Sequence, residues 1–389
     1  MAFARALRDR GHEVRVLTGF PNYPGGNLYP GYSIRPFHRE HIDGVTVYRV
    51  PLYPSHNRST IRRALNYLSF ALSAAVAAPI VGKGVDVAYV YHPPATISIP
   101  ALALRIFRRV PFVYDIQDLW PDTLASTGMV TNRFALSAID RWMNLVYRST
   151  AGLLVLPPGF KKRLIERGVP AAKVEVIYNW APEAPRSTTD SEQPWRTAFE
   201  NRFSVVFAGN MGKAQALDGV LDAAAIVAKN DGDTQFVFIG DGVEMGHLQQ
   251  VAVTSGLTNT LFLPRMSFSE IADVFAKADA LLVHLRDDPL FAITIPSKTQ
   301  AYLAAGKPIL MAMTGDAADL VEQAQAGIRC RPEDPAAIAQ AVMTLRHLPK
   351  SDLDDMGRRG REFYEEHLAM AVAVDRLETS LREVARRGS

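Results

Sequence analysis

Two lysines in the second half of the chain stand beside residues suited to holding phosphate. In FAGNMGKAQ (207–215), Gly209 and Gly212 allow the backbone to approach a ligand closely, and Lys213 adds a full positive charge. The segment follows an alternating apolar strand and opens a helix, whose free amides attract anions. Neither the G-x-G-x-x-G spacing of dinucleotide loops nor the Walker spacing is present. The pattern alone leaves a phosphate loop and a plain strand–helix turn both open. In TIPSKTQAYLAAGKPIL (294–310), Pro296 and Ser297 fall where a helix begins. Free amides, the hydroxyls of Ser297 and Thr299, and the ammonium of Lys298 converge there. An ordinary N-cap with a solvated lysine is the alternative. Two such loops in one half-chain point to a nucleotide-diphosphate pocket.

The first half carries a different signal. YDIQDLWPDT (114–123) places Asp115, Asp118 and Asp122 within eight residues at the end of a strand. Structural caps explain one carboxylate more readily than three. Asp118 is suited to holding or deprotonating an acceptor hydroxyl, and Trp120 to stacking on a sugar ring. His92, in VYHPPAT, also follows a strand, although a lone histidine there is more often structural.

The elements around these segments alternate. VDVAYVYH, VPFVYDIQD, AGLLVLPP and KVEVIYN read as strands separated by helices, and a second series runs from SVVFAGN to KPILMAM. Such alternation predicts parallel sheets covered on both faces: an α/β protein with two doubly wound Rossmann-like domains facing a cleft. The first domain spans 1–182, the Pro/Ser/Thr-rich stretch 183–200 is a linker, and the second domain spans 201–370. A charged amphipathic helix begins near Leu353, and its end, about 371–389, packs back onto the first domain.

Composition narrows the class. The 389 residues are 48% hydrophobic and 21% charged, which excludes a mainly disordered chain. A single cysteine, Cys330, excludes a disulfide framework, and nine histidines without H-E-x-x-H spacing give no support to metal catalysis. Net charge is +3, yet residues 1–110 hold 14 Arg and Lys against 5 Asp and Glu, leaving −6 for the remainder. A basic half of this kind suits an anionic partner. Residues 64–82 carry no charge, but Asn66, Ser69, Ser73, Pro79 and many alanines read as a packed or surface-embedded helix rather than a span. No signal peptide is visible, and no nucleic-acid module is recognisable.

The run PSKTQAYLAAGKPI, together with AGNMGKAQALDGVLDAA, GDG, DIQDLWPD, VIYNW and RGHEVRVLTGFPNYPGG, resembles family-4 glycosyltransferases of the GT-B fold. The likeness is to bacterial O-antigen and colanic-acid enzymes, N-acetylfucosamine transferases among them, and covers nearly the whole chain. The resemblance implies retaining transfer from a nucleotide-diphosphate sugar, with no metal or other cofactor. Lys213 and Lys298, with Ser297 and Thr299, would hold the donor diphosphate. Gly209, Asn210, Gly212 and Gln215, the loop Gly240–Gly242, Arg265 and Thr294 would complete the donor site. Asp118 matches the aspartate of the family's His-Asp motif. Asn22, Tyr23, His92 and Trp120 would meet the acceptor.

Three departures qualify the likeness. The family's paired glutamates fall at Ile293 and Ala301, Gln117 stands where many relatives have histidine, and the chain begins inside the helix that follows the family's first strand. Without that strand the first sheet is expected to present two unpaired edges, as a truncated gene model would. The expected activity is transfer from a UDP-sugar, such as an N-acetylated deoxysugar, to an undecaprenyl-diphosphate-linked saccharide. The expected place is the cytoplasmic face of an anionic membrane, in surface polysaccharide synthesis. A UDP-sugar 2-epimerase of the same fold and a non-catalytic assembly scaffold are the alternatives.

Overall fold

The computed structural model describes all residues except 23–24, 56–59, 93, 127, 183–194 and 389. The chain forms two compact units, residues 1–177 with 373–389, and residues 178–372.

The first unit opens with α1 (Ala2–Asp9), which stops at Gly11 in a left-handed turn (φ +88°). Strands β1 (Arg15–Gly19), β2 (His38–Ile42) and β3 (Val45–Val50) form one sheet in the order β1-β3-β2. After α2 (Thr60–Val81) come β4 (Ala88–His92), α3 (Ser98–Arg108), β5 (Phe112–Ile116), α4 (Asp122–Ser126), α5 (Arg133–Ser149), β6 (Gly152–Val155), α6 (Pro158–Glu166) and β7 (Val174–Val176). Their strands make a second, all-parallel sheet, β4-β5-β6-β7. The central β5 is buried throughout, as a strand covered on both faces must be. The end strands are β1 and β2 in the first of these sheets and β4 and β7 in the second. All five residues of β1 are only half-buried, consistent with an edge.

The second unit is a six-stranded parallel sheet in the order β10-β9-β8-β11-β12-β13. Its elements are β8 (Phe203–Asn210), α7 (Asp218–Ala228), β9 (Thr234–Asp241), α8 (Met245–Thr254), β10 (Thr260–Leu263), α9 (Phe268–Lys277), β11 (Ala280–His284), α10 (Pro289–Ala292), α11 (Ser297–Ala305), β12 (Ile309–Ala312), α12 (Asp316–Gln323), β13 (Gly327–Arg329), α13 (Pro335–His347) and α14 (Lys350–His367). Apolar side chains of β8, β9, β11 and β12 alternate between two cores, one on each sheet face.

Two boundaries differ from the sequence reading. Residues 195–200 are not linker: Trp195 and Phe199 meet edge-on at 5.7 Å and are buried in the second unit's core. The rest of the proposed linker, 183–194, lies outside the described residues. The C-terminal helix is two helices, because the chain breaks at buried Leu368 between α14 and α15 (Met370–Gly388).

Candidate functional site

In the second unit the two lysine-bearing loops meet. β8 and β9 run side by side to Gly209 and Gly240, which are register partners. Gly209 has φ +136°, and a Cβ there would lie 2.8 Å from Lys298 Cε and 2.9 Å from its Nζ. The Lys298 ammonium therefore rests directly over Gly209, at the start of α11. It also sits 4.4 Å from the centroid of the Phe207 ring, a cation–π contact that partly offsets its burial. Among the described residues no carboxylate pairs with it. Burial alone pulls its pKa down to about 8. Beside it, buried Thr299 and Gln300 leave Oγ1 and Oε1 without hydrogen-bond partners, while Ser297 is exposed at the helix start. A half-buried cation with no carboxylate partner at a helix N-terminus is a site that favours an anion.

The glycine loop itself differs from the expected form. It opens a short 3₁₀ turn over Lys213–Gln215 rather than a helix, and α7 starts only at Asp218. Gln215 Oε1 accepts from the Gly212 amide at 3.0 Å and from Asn210 Nδ2 at 3.2 Å, so these three residues brace one another. Lys213 is exposed at the head of the turn. Gly240 and Gly242 admit the neighbouring loop: added Cβ atoms would fall 2.0 Å from the Gly209 carbonyl oxygen and 2.2 Å from that of Met211. Arg265 lies exposed on the loop after β10. The Thr294 hydroxyl donates to the Leu290 carbonyl at 2.8 Å, which fastens the loop ahead of α11.

His284, which the sequence reading passed over, holds this region together. At the carboxyl end of β11, its Nδ1 donates to the Gln215 carbonyl at 2.6 Å and its Nε2 accepts from the Glu333 amide at 3.1 Å. Burial lowers its pKa, and the two bonds require the neutral ring with the proton on Nδ1. The one available signal was a polar residue ending the apolar run DALLVHL, at the strand end where ligands gather.

In the first unit the three carboxylates separate by role. Asp115 is buried on β5, accepts from Tyr89 Oη and from Gln117 Nε2 at 2.9 Å, and is raised by burial to about 6. Asp122 begins α4 and is tied to Arg167 and, at 3.4 Å, to Arg163. Two of the three are thus structural, and Asp118 alone stands exposed in the loop, its pKa raised by partial desolvation. His92 is not a surface contact: it is fully buried against Tyr114 and Trp120, both ring nitrogens lack partners, and burial lowers it to about 3. The half-buried Trp120 ring is partly engaged by that contact. Asn22 is half-buried, its carbonyl accepting from the Gly26 amide at 2.6 Å, and Tyr23 lies outside the described residues.

Comparison with known proteins gives the family and the fold. Residues 1–180 match the glycosyl transferase 4-like domain, and residues 202–347 match glycosyl transferases group 1. The chain belongs to the glycosyltransferases. WbjE of Pseudomonas aeruginosa, which carries the name glycosyltransferase, is 24% identical over 74% of this chain and 72% of its own. WcaI of Escherichia coli K12, named for glycosyl transfer in colanic acid biosynthesis, is 26% identical over 77% and 75%. Among solved structures, Anabaena HepE in complex with UDP-glucose superposes with a TM-score of 0.64 at 16% identity, covering 81% of this chain and 82% of HepE. The sucrose-phosphate synthase of Thermosynechococcus elongatus gives 0.67 at 14% identity, over 99% and 92%. The fold of this glycosyltransferase is GT-B.

Proposed function

We propose that this glycosyltransferase moves a sugar from a UDP-sugar, with retention of configuration, to an undecaprenyl-diphosphate-linked saccharide. The setting is the cytoplasmic face of a bacterial membrane, in surface polysaccharide synthesis. The observation that carries the donor half is the half-buried Lys298 ammonium over Gly209, with no carboxylate paired to it among the described residues. HepE, which shares the fold, is known in complex with UDP-glucose, and WcaI supports the polysaccharide setting.

The diphosphate accepts hydrogen bonds from the α11 amides and from the Lys298 ammonium, which also balances its charge, with Lys213 contributing from the exposed head of the glycine loop. As the bond between the anomeric carbon and the donor phosphate oxygen breaks, negative charge grows on the departing UDP, where Lys298 neutralises it. The acceptor oxygen bonds the same face of the sugar, and its proton leaves with the diphosphate. In the first unit, Asp118 orients the acceptor hydroxyl and Trp120 supports the ring to which it belongs. With lysines in the charge-neutralising role, the reaction proceeds without a divalent metal.

Membranes containing the lipid-linked saccharide, a panel of UDP-sugars and EDTA test this reading together. The expected result is transfer from one UDP-sugar, undiminished by EDTA, with an anomeric configuration matching the donor. Inverted product or EDTA-sensitive turnover would overturn the mechanism. Donor isomerisation without transfer would place the chain with the epimerases instead.

A further inference from the structure

Helix α2 is built inside out. Its small residues Ala71, Ala74, Ala77 and Ala78 are buried, the last three packed on Val50, Leu17, Leu104 and Val110. Phe70 and Val81 also face inward, but five large apolar residues face the other way: Leu72, Val76 and Ile80 are 62%, 75% and 66% exposed, and Leu65 and Leu68 nearly half. Their spacing of three and four residues puts them in one stripe, roughly 22 Å long at 1.5 Å per residue. A helix in a water-soluble domain ordinarily turns such residues inward.

The stripe does not end with α2. Arg108 Nε, at the end of α3, donates to the Pro79 carbonyl at 2.7 Å, which fixes the last turns of the two helices together. On that turn Ile106 and Phe107 are 70% and 72% exposed. Arginines border the apolar surface at both ends, Arg62 and Arg63 at the start of α2 and Arg105, Arg108 and Arg109 at the end of α3. From residue 51 to 110 the only acidic residue is Asp86, against seven Arg and Lys. Next to Ile106 and Phe107, Arg105 and Arg109 line a hollow with Arg387 of α15, floored by Pro111, Ala151 and Val384. Arg387 is shared with Glu383 at 3.3 Å, whereas no hydrogen bond or ion pair joins Arg105 to a carboxylate among the described residues.

From this juxtaposition we infer that the outer face of α2 and the last turn of α3 form one membrane-docking surface. The apolar stripe with Ile106 and Phe107 enters the acyl boundary of an anionic bilayer, and the arginine hollow receives a lipid phosphate. A neutral protein partner would leave this arginine border unmatched, whereas an anionic lipid surface matches both the border and the apolar stripe. Although α2 is long and apolar enough to cross a membrane, its alanine face is occupied by the first unit's own sheet and α3. It therefore lies along the surface. This inference rests on the lipid-linked acceptor for its purpose, but its test does not.

Full-length protein is sedimented with vesicles of phosphatidylcholine alone or with 30% phosphatidylglycerol. The expected result is co-sedimentation with the anionic vesicles, at least tenfold stronger than with the neutral ones and reversed by high salt or carbonate. Changing Leu72, Val76 and Ile80 to Ser, or Arg105 and Arg109 to Glu, lowers partitioning at least tenfold while UDP binding is unchanged. In a Phe107→Trp variant the indole emission shifts to the blue and is quenched by brominated lipid. Equal partitioning of wild type and variants, no preference for anionic vesicles, or resistance to carbonate would each overturn the inference. So would dissociation of a dimer by the serine variant with unaltered vesicle binding. Vesicle binding without transfer to the lipid-linked saccharide would leave this surface standing and refute the acceptor reading alone.

Discussion

Asp115 is buried and Lys298 half-buried, and the two groups respond to pH in opposite senses. Lys298, lowered from 10.5 to about 8, is charged at neutral pH. The unliganded protein therefore gains stability as pH rises from 8 towards 10.5, where the unfolded chain still binds the proton and the folded one has lost it. On the proposed reading UDP affinity is expected to move the other way and to fall above pH 8 as the ammonium is lost, a contrast that calorimetry across pH 7–10 reads directly. Asp115, raised from 3.8 to about 6, binds more protons folded than unfolded, so stability falls as pH rises from 4 to 6. Asp115→Asn is expected to stabilise the protein at pH 8 by about 1–3 kcal/mol and to change little at pH 4, as measured by denaturant melts. The sequence disclosed Lys298 and Asp118 through residue type and position. It did not disclose that Asp122 belongs to Arg163 and Arg167, or that His92 is sealed beneath Trp120, because these facts depend on contacts far apart in the chain.

At the scale of elements, the proposed donor site depends on how firmly the 3₁₀ turn after β8 is held. His284 reaches from β11 to the Gln215 carbonyl and anchors the Glu333 amide behind it. His284→Ala leaves both backbone groups short of a partner and is expected to destabilise the fold by about 2 kcal/mol. It raises KM for the UDP-sugar several-fold with a smaller change in kcat, because it positions the loop without touching the reacting atoms; steady-state kinetics separates the two. Strand and helix order in both units followed from apolar runs and their punctuation, since local periodicity encodes it. The antiparallel β2, the short β13 and the break at Leu368 were missed. β2 is polar at four of its five residues, β13 is only three residues, and the break interrupts an otherwise continuous helical pattern. Tertiary packing decides each of them.

At the scale of the whole molecule, the last helix closes the first unit. Leu377, Leu381 and Val384 of α15 are buried, and Val384 packs near Gly152 of β6. Arg10 and His12 both bond Glu378 at 2.8 Å, and these bonds hold that carboxyl down at about 2. Removing residues 370–389 is therefore expected to unfold the first unit while the second, which keeps all its strands and Lys298, still binds UDP; hydrogen exchange with and without UDP resolves the two units. The central claim is that the second unit binds the donor diphosphate through Lys298. Calorimetric titration of UDP into wild type and Lys298→Met, with melting curves of both, tests it most directly. Loss of one charge-assisted contact is worth about 1.5–3 kcal/mol, so the account predicts binding weakened by roughly 10- to 150-fold in a variant that melts no lower than wild type. Equal affinity in the two proteins, or no UDP binding by the folded wild type, would contradict it.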